Sequence, residues 1–490
     1  MRTLDRTATN AFGITGYQLM TRAAEAVCTA VSTTWPDARR WLVLCGGGNN
    51  AGDGYVIARL ARRAGLEVRV CALADPAELP GDAATAWRDY AADGGNLTPF
   101  APEVLAGADL VIDAILGIGL ARPVTGAIFT AIEAVNGAGL PVVAVDIPSG
   151  LDATTGLPLG AAVRADLTVT FVARKLGLYL GEGRAYTGRV EFADLGIPPA
   201  VVASAGLTGR ARLRLFAAGD LPRLLPRRSA TAHKGDFGHV LVVGGNHGMS
   251  GAVRLAGEAA LRSGAGLVSV ATRPVQAALL PLVRPELMCH GIDEPSEIVP
   301  LLARATVVAL GPGLGQDAWA RALLAAVLAT PLPLVLDADA LNLLADSPSQ
   351  RHNWILTPHP GEAGRLLGSS STDVQRDRLG ALNALHQRYG GTIVLKGSGT
   401  LVSGARPPPW LIASGNPGMA TAGMGDVLTG IVAGLFAQAA GNLQGSAWVP
   451  EIAAAAAFVH GAAGDAAART GERGVVASDV LANLQSCLNP

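Results

Sequence analysis

The stretch from Asn416 to Leu435, NPGMATAGMGDVLTGIVAGL, sets one acid among glycines at the start of an apolar helical pattern. Glycine-rich backbone and a helix N-terminus both present N–H groups to an anion, which makes this a candidate phosphate site. A carboxylate beside a phosphate can take the proton from a hydroxyl that attacks it. Helix capping is the structural alternative, because Asp often occupies helix N-termini. The segment therefore predicts either phosphate chemistry with Asp426 as the base or a capped helix.

A second glycine-rich segment, WLVLCGGGNNAGDGYVIARL, runs from Trp41 to Leu60. It lacks the Gly-Lys-Ser/Thr ending of a Walker loop and a regular GxGxxG spacing, so it predicts phosphate or dinucleotide binding without naming the ligand. Its glycines would let the backbone approach a phosphate closely, and its polar side chains would add contacts. The glycines are Gly46, Gly47, Gly48, Gly52 and Gly54, and the polar residues are Asn49, Asn50 and Asp53. Two such segments suggest two sites.

Oxygen-bearing side chains end two further strand patterns in the first half of the chain. Asp113 closes one apolar run, and Asp146 and Ser149 close the next. Asn50, Asp113 and Ser149 are all oxygen donors, which suit a hard monovalent or alkaline-earth cation better than zinc. The alternative for Asp113 and Asp146 is loop capping, but their shared position at strand ends favours a site.

Length and composition favour two α/β domains in a soluble, cytoplasmic protein. A chain of 490 residues exceeds what one hydrophobic core usually supports. The formal net charge of -1 gives no electrostatic reason to expect nucleic acid or an anionic membrane as a partner. The five cysteines are scattered without a CxxC pair, which indicates reduced thiols and not a disulfide framework or a zinc site. The N-terminus lacks an apolar targeting segment, and no apolar run reaches membrane-spanning length.

Strand and helix patterns alternate through the first half. Short β-branched runs ending in Gly, Asp or Pro predict strands, and alanine-rich stretches at 55–63 and 128–135 predict helices between them. Such a pattern indicates a parallel sheet covered on both faces, with ligands bound beyond the carboxyl ends of the strands. The predicted strands span residues 41–47, 67–73, 108–116, 141–150 and 165–172.

The second half repeats this alternation after an interrupted stretch rich in Pro, Gly and Arg. A linker at 207–216 is the predicted boundary between domains 1–216 and 217–490. A second doubly wound domain is predicted from a helix pattern followed by four strand patterns. The helix spans 253–261, and the runs interpreted as strands are LVSVAT, TVVALGPGLG, PLVLDADALNLL and TIVLKGSGTLV. Four of its loops could carry chemistry. They are GPGLG at 311–315, TPHPGE at 357–362 with His359 and Glu362, LKGSGT at 395–400 with Lys396 directed toward a phosphate, and GMGD at 423–426.

The eight histidines show no repeated metal-ligand spacing, so most are expected at the surface or in loops. His359 is the exception, on the strength of its motif. The residues expected to be peripheral include His233, His239, His247, His290 and His460.

The motifs of the first half, taken in order, resemble the NAD(P)H-hydrate epimerases over about residues 1–215. They are GGGNNAGDGYVIAR, DAILGIGLARPVTG, DIPSGLDATTG and TFVARKLGL, with Ala51 where the family usually has glycine. The resemblance implies a Rossmann-like three-layer sandwich, potassium held by Asn50, Asp113 and Ser149, and acid/base catalysis by Asp146, with Lys175 as a weaker candidate. The substrate contacts that it implies are Asn49, Asn50, Ala51, Gly52, Asp53, Gly117, Ile118, Gly119, Leu120, Ala121, Arg122, Pro123 and Asp146.

The motifs of the second half are similar to the ribokinase-like superfamily, and more closely to the ADP-dependent NAD(P)H-hydrate dehydratases, over about residues 217–490. They are HKGDFGHV, GGNHGMSGA, DADALNLL and TPHPGE, with Met424 where many relatives have a smaller residue. The resemblance implies Asp426 as the catalytic base and a ribokinase-like fold. It implies substrate contacts at Ala252, Gly313, His359 and Asp426, and nucleotide contacts at Lys396, Gly397, Ser398, Gly399, Thr400 and Gly425.

Together the two resemblances imply a bifunctional repair enzyme for hydrated NADH and NADPH. The first domain would interconvert the R and S epimers, and the second would dehydrate the S form at the expense of ADP, giving AMP and phosphate. Potassium and ADP are the expected cofactor and co-substrate, magnesium is left open, and a homo-oligomer is expected. One alternative is a ribokinase-like small-molecule kinase fused to a nucleotide-binding domain. Another is a non-catalytic nucleotide sensor.

Overall fold

The computed structural model describes residues 7, 12–204, 213–404, 408–442 and 449–489. Contacts between Cα atoms divide the chain into two units, Met1–Ala211 and Arg212–Pro490. The linker expected at 207–216 lies outside the described residues up to position 212. Its last part forms a short strand, Arg214–Leu215, that belongs to the sheet of the second unit.

In the described part of the first unit, a six-stranded sheet has the order β2-β1-β3-β4-β5-β6, and every neighbouring pair is parallel. The strands are β1 (Arg40–Cys45), β2 (Glu67–Ala72), β3 (Leu110–Ala114), β4 (Val142–Val145), β5 (Leu167–Phe171) and β6 (Arg189–Ala193). The five predicted strands are therefore confirmed with shorter bounds, and β6 is an addition.

Helices cover both faces of this sheet. They are α1 (Gly16–Thr34), α2 (Asn49–Arg63), α3 (Gly81–Ala92), α4 (Gly126–Gly137), α5 (Arg184–Thr187) and α6 (Pro199–Ser204). Along β1, Val43 packs in a core with α1, α2 and α3, whereas Leu42 and Leu44 pack in a second core with α4. Successive side chains of a strand point to opposite faces, so this continuous apolar run fills two cores at once. The result is the three-layer sandwich predicted from the sequence.

The described part of the second unit contains a ten-stranded sheet of order β10-β9-β8-β11-β12-β13-β14-β15-β16-β7. Its pairs are parallel except β14 with β15 and β15 with β16. The strands are β7 (Arg214–Leu215), β8 (His239–Val243), β9 (Leu267–Thr272), β10 (Met288–Gly291), β11 (Val307–Leu310), β12 (Leu334–Leu336), β13 (Trp354–Leu356), β14 (Thr392–Leu395), β15 (Thr400–Ser403) and β16 (Trp410–Ile412).

The helices of the second unit and the 3₁₀ turns of both units complete the fold. The helices are α7 (Leu221–Leu224), α8 (Ser250–Arg262), α9 (Pro274–Val283), α10 (Val299–Leu302), α11 (Ala318–Leu328), α12 (Asp339–Asp346), α13 (Pro360–Leu367), α14 (Ser371–Arg376), α15 (Arg378–Tyr389), α16 (Met424–Asn442), α17 (Val449–Ala467) and α18 (Ala477–Leu488). The 3₁₀ turns are Pro76–Glu78, Pro102–Leu105, Leu176–Leu178, Ala218–Asp220, Lys234–Phe237, Pro295–Ile298, Pro417–Met419 and Ala468–Thr470. None of the described helices is long and apolar enough to cross a membrane.

Two of the predicted elements in the second unit are wrong. The run PLVLDADALNLL is a strand only over β12, and its second half is helix α12, because an apolar run of this length does not by itself distinguish strand from buried helix. The run TIVLKGSGTLV is not one strand but an antiparallel hairpin of β14 and β15, whose turn contains Gly397 and Gly399 at positive φ.

Candidate active sites

The first candidate site lies at the carboxyl end of the six-stranded sheet, between β1 and β3. Because β2 and β3 lie on opposite sides of β1, the connections that leave β1 and β3 run in opposite directions. A crevice opens where they part, and ligands of open α/β sheets bind at such points. Both predicted motifs, the glycine-rich segment after β1 and the loop after Asp113, meet there.

Four oxygen-bearing groups cluster in this crevice. Ser149 Oγ donates a hydrogen bond to Asp113 Oδ1 at 2.5 Å, and the Ser149 amide donates to Asp113 Oδ2 at 2.8 Å. Ser149 Oγ also accepts from the Leu116 amide at 2.7 Å. The Asn50 side chain reaches the carbonyl oxygen of Leu116 at 3.1 Å. The three residues predicted to hold a cation are therefore neighbours, and Leu116 adds a carbonyl that the sequence did not single out.

Asp113 is fully buried. Burial raises the pKa of its carboxyl to about 6, although hydrogen bonds from Ser149 and Ile115 oppose the shift. Among the described residues no Lys or Arg pairs with this carboxylate. A buried carboxylate held only by neutral donors is a group that a bound cation would stabilise.

The residues predicted as a glycine-rich substrate loop form the first turn of helix α2. The helix begins at Asn49, six residues before the predicted start at 55, and its N-cap is Gly48. Asn49 is exposed, Asp53 is half-buried and Ala51 is buried. A Cβ on Gly52 would lie 2.6 Å from Met20 Cε and 2.9 Å from Ala83 Cα.

Two of the glycines expected to approach a phosphate therefore serve helix packing. Gly52 faces α1 and α3, and a Cβ on Gly54 would lie 2.7 Å from the Cβ of Ala114 on β3. Helix α2 brings the α-carbons of this pair against neighbouring elements, so packing by itself requires glycine at both positions. Contact of their backbone with a phosphate stays a prediction. Gly46 is also buried, and a Cβ there would lie 1.9 Å from the Ile115 carbonyl oxygen. The accessible part of the segment is the turn at Gly47 and Gly48 with Asn49 at the start of α2.

The loop of residues 117–123 follows the oxygen cluster. A Cβ on Gly117 would lie 3.4 Å from Asn50 Cβ, so the loop begins beside the cluster. Most of the following residues are exposed to solvent: Ile118 is 38% exposed, and Gly119, Ala121, Arg122 and Pro123 are exposed as well. Leu120 is half-buried and donates a backbone hydrogen bond to Gly117 at 3.3 Å.

Asp146 and Lys175 form an ion pair at the end of β4. Lys175 Nζ donates to Asp146 Oδ1, to Thr170 Oγ1 at 3.0 Å and to the Phe171 carbonyl at 2.9 Å. The same Asp146 oxygen accepts from the Phe171 amide at 3.1 Å. Asp146 has a φ of 70°, a backbone conformation that L-residues rarely adopt and that clusters at functional sites. The sequence favours Asp146 over Lys175 as the catalytic group, and the structure puts the two side chains in direct contact.

The second candidate site lies at the corresponding switch point of the ten-stranded sheet, between β8 and β11. The Asn246 amide donates to the Gly313 carbonyl at 2.6 Å, and a Cβ on Gly313 would lie 3.2 Å from Ala252 Cβ. The Gly315 amide donates to Asp339 Oδ2 at 2.8 Å. Ala252 and Gly313, predicted as substrate contacts, are therefore adjacent and form one wall of the site. Asp339, which binds the Gly315 amide, lies close enough to Asp426 for its charge to act on that carboxylate.

Asp426 is the third residue of helix α16 and is half-buried. Burial raises the pKa of its carboxyl to about 6, the negative charge of Asp337 adds to the shift, and Lys396 opposes it. A capping Asp would accept a backbone N–H, but the carboxylate of Asp426 has no hydrogen bond to any described residue. The geometry therefore favours a chemical role for Asp426 over capping.

Lys396 lies beside Asp426 but is held by acids. Its Nζ donates to Asp337 Oδ1 at 2.6 Å and lies 3.7 Å from Glu362 Oε2. Burial works against the charged form of Lys396, but the negative charges of Asp337 and Glu362 outweigh it and raise the pKa of the ammonium. The ammonium expected to be directed at a phosphate is therefore already engaged in ion pairs.

The turn of residues 396–400 joins β14 to β15, and the buried side chain of Arg378 donates hydrogen bonds to its backbone carbonyls. Arg378 Nη2 donates to the carbonyls of Leu395, Lys396 and Gly399, each at 3.2 Å. Thr400 Oγ1 donates to the Gly397 carbonyl at 3.0 Å. Burial lowers the pKa of Arg378 to about 10, and no carboxylate among the described residues pairs with it. Sequence reasoning missed Arg378, because a lone Arg at the start of helix α15 has no distinguishing pattern.

The TPHPGE motif forms the N-terminus of helix α13. His359 Nδ1 accepts from the Gly361 amide at 3.0 Å, and Glu362 Oε2 accepts from the His359 amide at 2.8 Å. This reciprocal capping fixes Glu362 beside Lys396 and leaves the His359 side chain 55% exposed. The motif thus has a structural role in addition to the predicted one.

His460, expected at the surface or in a loop, lies inside the second site on helix α17. Burial lowers the pKa of its imidazole to about 4, with the charge of Lys396 acting in the same direction. Its Nε2 is buried and has no hydrogen-bond partner among the described residues. The apolar, alanine-rich helix around it was visible in the sequence, but the element that covers the ring was not.

Comparison with known proteins assigns the two units to a class. The protein-family model for NAD(P)H-hydrate dehydratase matches residues 240–486, and the model for the YjeF-related protein N-terminus matches residues 16–177. A ribokinase-like superfamily protein from Enterococcus faecalis is similar in structure, with a TM-score of 0.51 and 31% identity over 56% of this chain and 95% of its own. A protein from Streptococcus mutans has a TM-score of 0.51 and 30% identity over 56% of this chain and 98% of its own. The second unit is therefore a ribokinase-like domain of the dehydratase class.

Full-length relatives narrow the assignment. The bifunctional NAD(P)H-hydrate repair enzyme of Coxiella burnetii is 47% identical over 100% of this chain and 98% of its own length. The enzyme of the same name from Escherichia coli is 46% identical over 99% of this chain and 92% of its own. The chain belongs to the family of bifunctional NAD(P)H-hydrate repair enzymes. The predictions of the family, of the fold and of a bifunctional enzyme are confirmed. Neither a small-molecule kinase fused to a nucleotide-binding domain nor a nucleotide sensor is needed to explain the motifs.

Proposed function

We propose that the first unit epimerises the R and S forms of NADH and NADPH hydrates, and that the second dehydrates the S form with ADP as phosphate donor. The observation that carries the second half is Asp426: a half-buried carboxylate without a hydrogen-bond partner among the described residues, at the first turn of a helix and beside Lys396. With a pKa raised to about 6, it is ionised at neutral pH and remains basic enough to accept a proton.

In the dehydration, Asp426 takes the proton from the C6 hydroxyl of the hydrate as this oxygen attacks the β-phosphorus of ADP. The bond between the β-phosphorus and the bridging oxygen breaks, and AMP leaves. The C6 phosphate is a much better leaving group than hydroxide, and its elimination with loss of a proton restores the dihydronicotinamide. AMP and phosphate are the by-products. The backbone around Gly423 to Gly425, at the N-terminus of α16, stabilises the charge on the transferring phosphoryl group.

The nucleotide lies along the turn of Lys396, Gly397, Ser398, Gly399 and Thr400, with Gly425 facing it. Arg378 supports this assignment, because its guanidinium binds backbone carbonyls of the turn and places a buried positive charge next to it. Gly425 supports it as well, since a Cβ there would lie 3.4 Å from Lys396 Nζ. A magnesium ion that accompanies ADP stays a prediction.

The substrate in the second unit contacts Ala252, Gly313 and His359 in addition to Asp426. The wall formed by Gly313 against Ala252 and the exposed imidazole of His359 support this placement. In the first unit the substrate binds in the crevice between the start of α2 and the loop of residues 117–123.

For epimerisation, Asp146 acts as the acid/base group, and Lys175 holds it in the required orientation. Three acceptors surround the Lys175 amine, which supports a side chain held in a fixed position. The positive φ of Asp146 aims its side chain away from the usual direction at a strand end, which supports a functional position.

Potassium fits the oxygen cluster of the first unit. Asn50, Asp113, Ser149 and the Leu116 carbonyl supply only oxygen donors, and the Asp113 carboxylate lacks a cationic partner among the described residues. A bound potassium ion would supply positive charge near the phosphates of the substrate. The protein's own part is to hold the oxygens together through the hydrogen bonds of Ser149.

One incubation tests the proposal. The purified protein receives a mixture of R and S hydrates with ADP, and the absorbance of the regenerated dihydronicotinamide is followed. Both epimers are expected to be consumed, with one AMP and one phosphate released per dihydronicotinamide. Consumption of only the S form would refute the epimerase half, and an accumulating phosphorylated hydrate would indicate a kinase. A cytoplasmic location and a homo-oligomeric state remain predictions.

A further inference from the structure

Two side chains next to Asp426 form a buried unit with opposite charges. Asp337 follows strand β12, is 1% exposed, and accepts hydrogen bonds from Lys396 Nζ at 2.6 Å and from Thr429 Oγ1 at 2.7 Å. Thr429 lies three residues after Asp426 on α16, so both side chains project from the same face of the helix. The hydrogen bond of Thr429 therefore ties Asp337 to the helix that carries Asp426.

Gly425 brings this pair close to the proposed base. A Cβ on Gly425 would lie 3.4 Å from Asp337 Oδ2 and 3.4 Å from Lys396 Nζ. Because Gly425 has no side chain, the first turn of α16 can pack directly against the ion pair of Asp337 and Lys396. Buried ion pairs are costly to desolvate and are weak evidence for stability, so a pair at this position calls for another explanation.

We propose that Asp337 and Lys396 are positioning residues that set the charge environment of Asp426 and thereby the pH range in which it acts as a base. The hydrogen bond from Thr429 fixes the Asp337 carboxylate in this position. The inference rests on the proposed function, in which Asp426 is that base. Lys396 also belongs to the proposed nucleotide turn, but this effect on Asp426 requires only its charge, and Asp337 needs no contact with the substrate. The two charges act on Asp426 in opposite directions: a nearby negative charge disfavours its ionised form, and a nearby positive charge favours it.

The remaining charged groups around Asp426 do not cancel the opposite effects of Asp337 and Lys396 on its carboxylate. Asp339, from the start of α12, adds negative charge but is engaged by the Gly315 amide. Glu362, from α13, acts through Lys396, from which its Oε2 is 3.7 Å away. His460, from α17, faces Lys396 and is neutral above a pKa of about 4. Asp337 and Lys396 are therefore the main charges of opposite sign that act on the carboxylate.

The test is the pH dependence of kcat/KM for dehydration of the pure S hydrate, compared among the parent, Asp337→Asn and Lys396→Met. Removing the negative charge should move the acidic limb to lower pH, and removing the positive charge should move it to higher pH, each by about one pH unit. Lys396→Arg keeps the charge, so its limb should stay near that of the parent even if its rate falls. The exposed carboxylate of Asp373, replaced by Asn, is the matched control and should leave the whole profile unchanged.

A structural role would lower the rate without moving the limb, so limbs that coincide with the parent's, or that move in the same direction, would overturn the inference. If Asp337→Asn does not fold, the contrast between Lys396→Met and Lys396→Arg decides the question alone. Asp426→Asn separates the two claims. If it stays active, the proposed function fails. If it is inactive while the other limbs do not move apart, only the inference about Asp337 and Lys396 fails.

Discussion

Replacing Asp426 with Asn is the perturbation with the most informative outcome, because the structure predicts opposite effects on activity and on stability. Asn has the same size as Asp and caps helices about as well, so the substitution preserves the shape of the first turn of α16. It removes only the charge and the capacity to accept a proton. The carboxylate has no hydrogen bond to a described residue, so no such contact is broken.

The magnitude of the stability effect follows from the pKa. Burial and the charge of Asp337 raise the pKa of the Asp426 carboxyl from 3.8 to about 6, which corresponds to about 3 kcal/mol against the charged form. The favourable interaction of a carboxylate with the helix N-terminus, about 0.3–1 kcal/mol, is lost in the variant. We therefore expect Asp426→Asn to raise the free energy of unfolding of the second unit by about 2 to 3 kcal/mol at neutral pH.

The size of this stability difference depends on pH, while its sign stays the same. Because the folded-state pKa is raised, the parent binds more protons than its unfolded chain between about pH 4 and about pH 6, and its stability falls as the pH rises through that window. The variant has no carboxyl at this position and lacks this part of the pH dependence. The difference between the two proteins should therefore vanish near pH 4 and be complete above about pH 6.

The assay pairs thermal or denaturant unfolding with dehydration of the pure S hydrate. Loss of a positioned general base costs about 100- to 10,000-fold in rate. The variant should be more stable, bind ADP, epimerise normally and fail to dehydrate. Dehydration within a few-fold of the parent would refute the base assignment, and a less stable variant would refute the reasoning about its buried charge.

Three further predictions concern the remaining features. Asp113→Ala should abolish the response of epimerisation to potassium and leave dehydration of pure S hydrate unchanged; equal loss of both activities would contradict the cation site. Arg378→Met should raise KM for ADP by about tenfold or more, with a smaller change in kcat, because hydrogen bonds from a charged donor contribute about 1.5–3 kcal/mol; an unchanged KM would remove Arg378 from the nucleotide site. Fragments 1–211 and 212–490 should fold separately and show epimerase and dehydratase activity respectively, as measured by circular dichroism and by the two assays; soluble, folded and inactive fragments would contradict two independent sites.

Local pattern in the sequence predicted the alternating α/β architecture of both units and named the candidate site residues. Apolar runs of strand length, glycine clusters and polar residues at strand ends depend on residues near each other in the chain, so they located β1, β3 and β9 and led directly to Asp113 and Asp426. The same dependence explains the misassigned elements. The run that contains α12 is equally apolar as strand or helix, and only its packing decided between them.

The partners of each charged group were decided by the tertiary structure. Lys396 and Asp337 are 59 residues apart in the chain, and Lys175 and Asp146 are 29 apart, so no local pattern could join them. Sequence alone therefore determined which chemical groups stand at the ends of the strands. The packing of the sheets and helices decided which groups are buried and which charges meet, and these two conditions set their pKa values, because burial and neighbouring charge act through space and not along the chain.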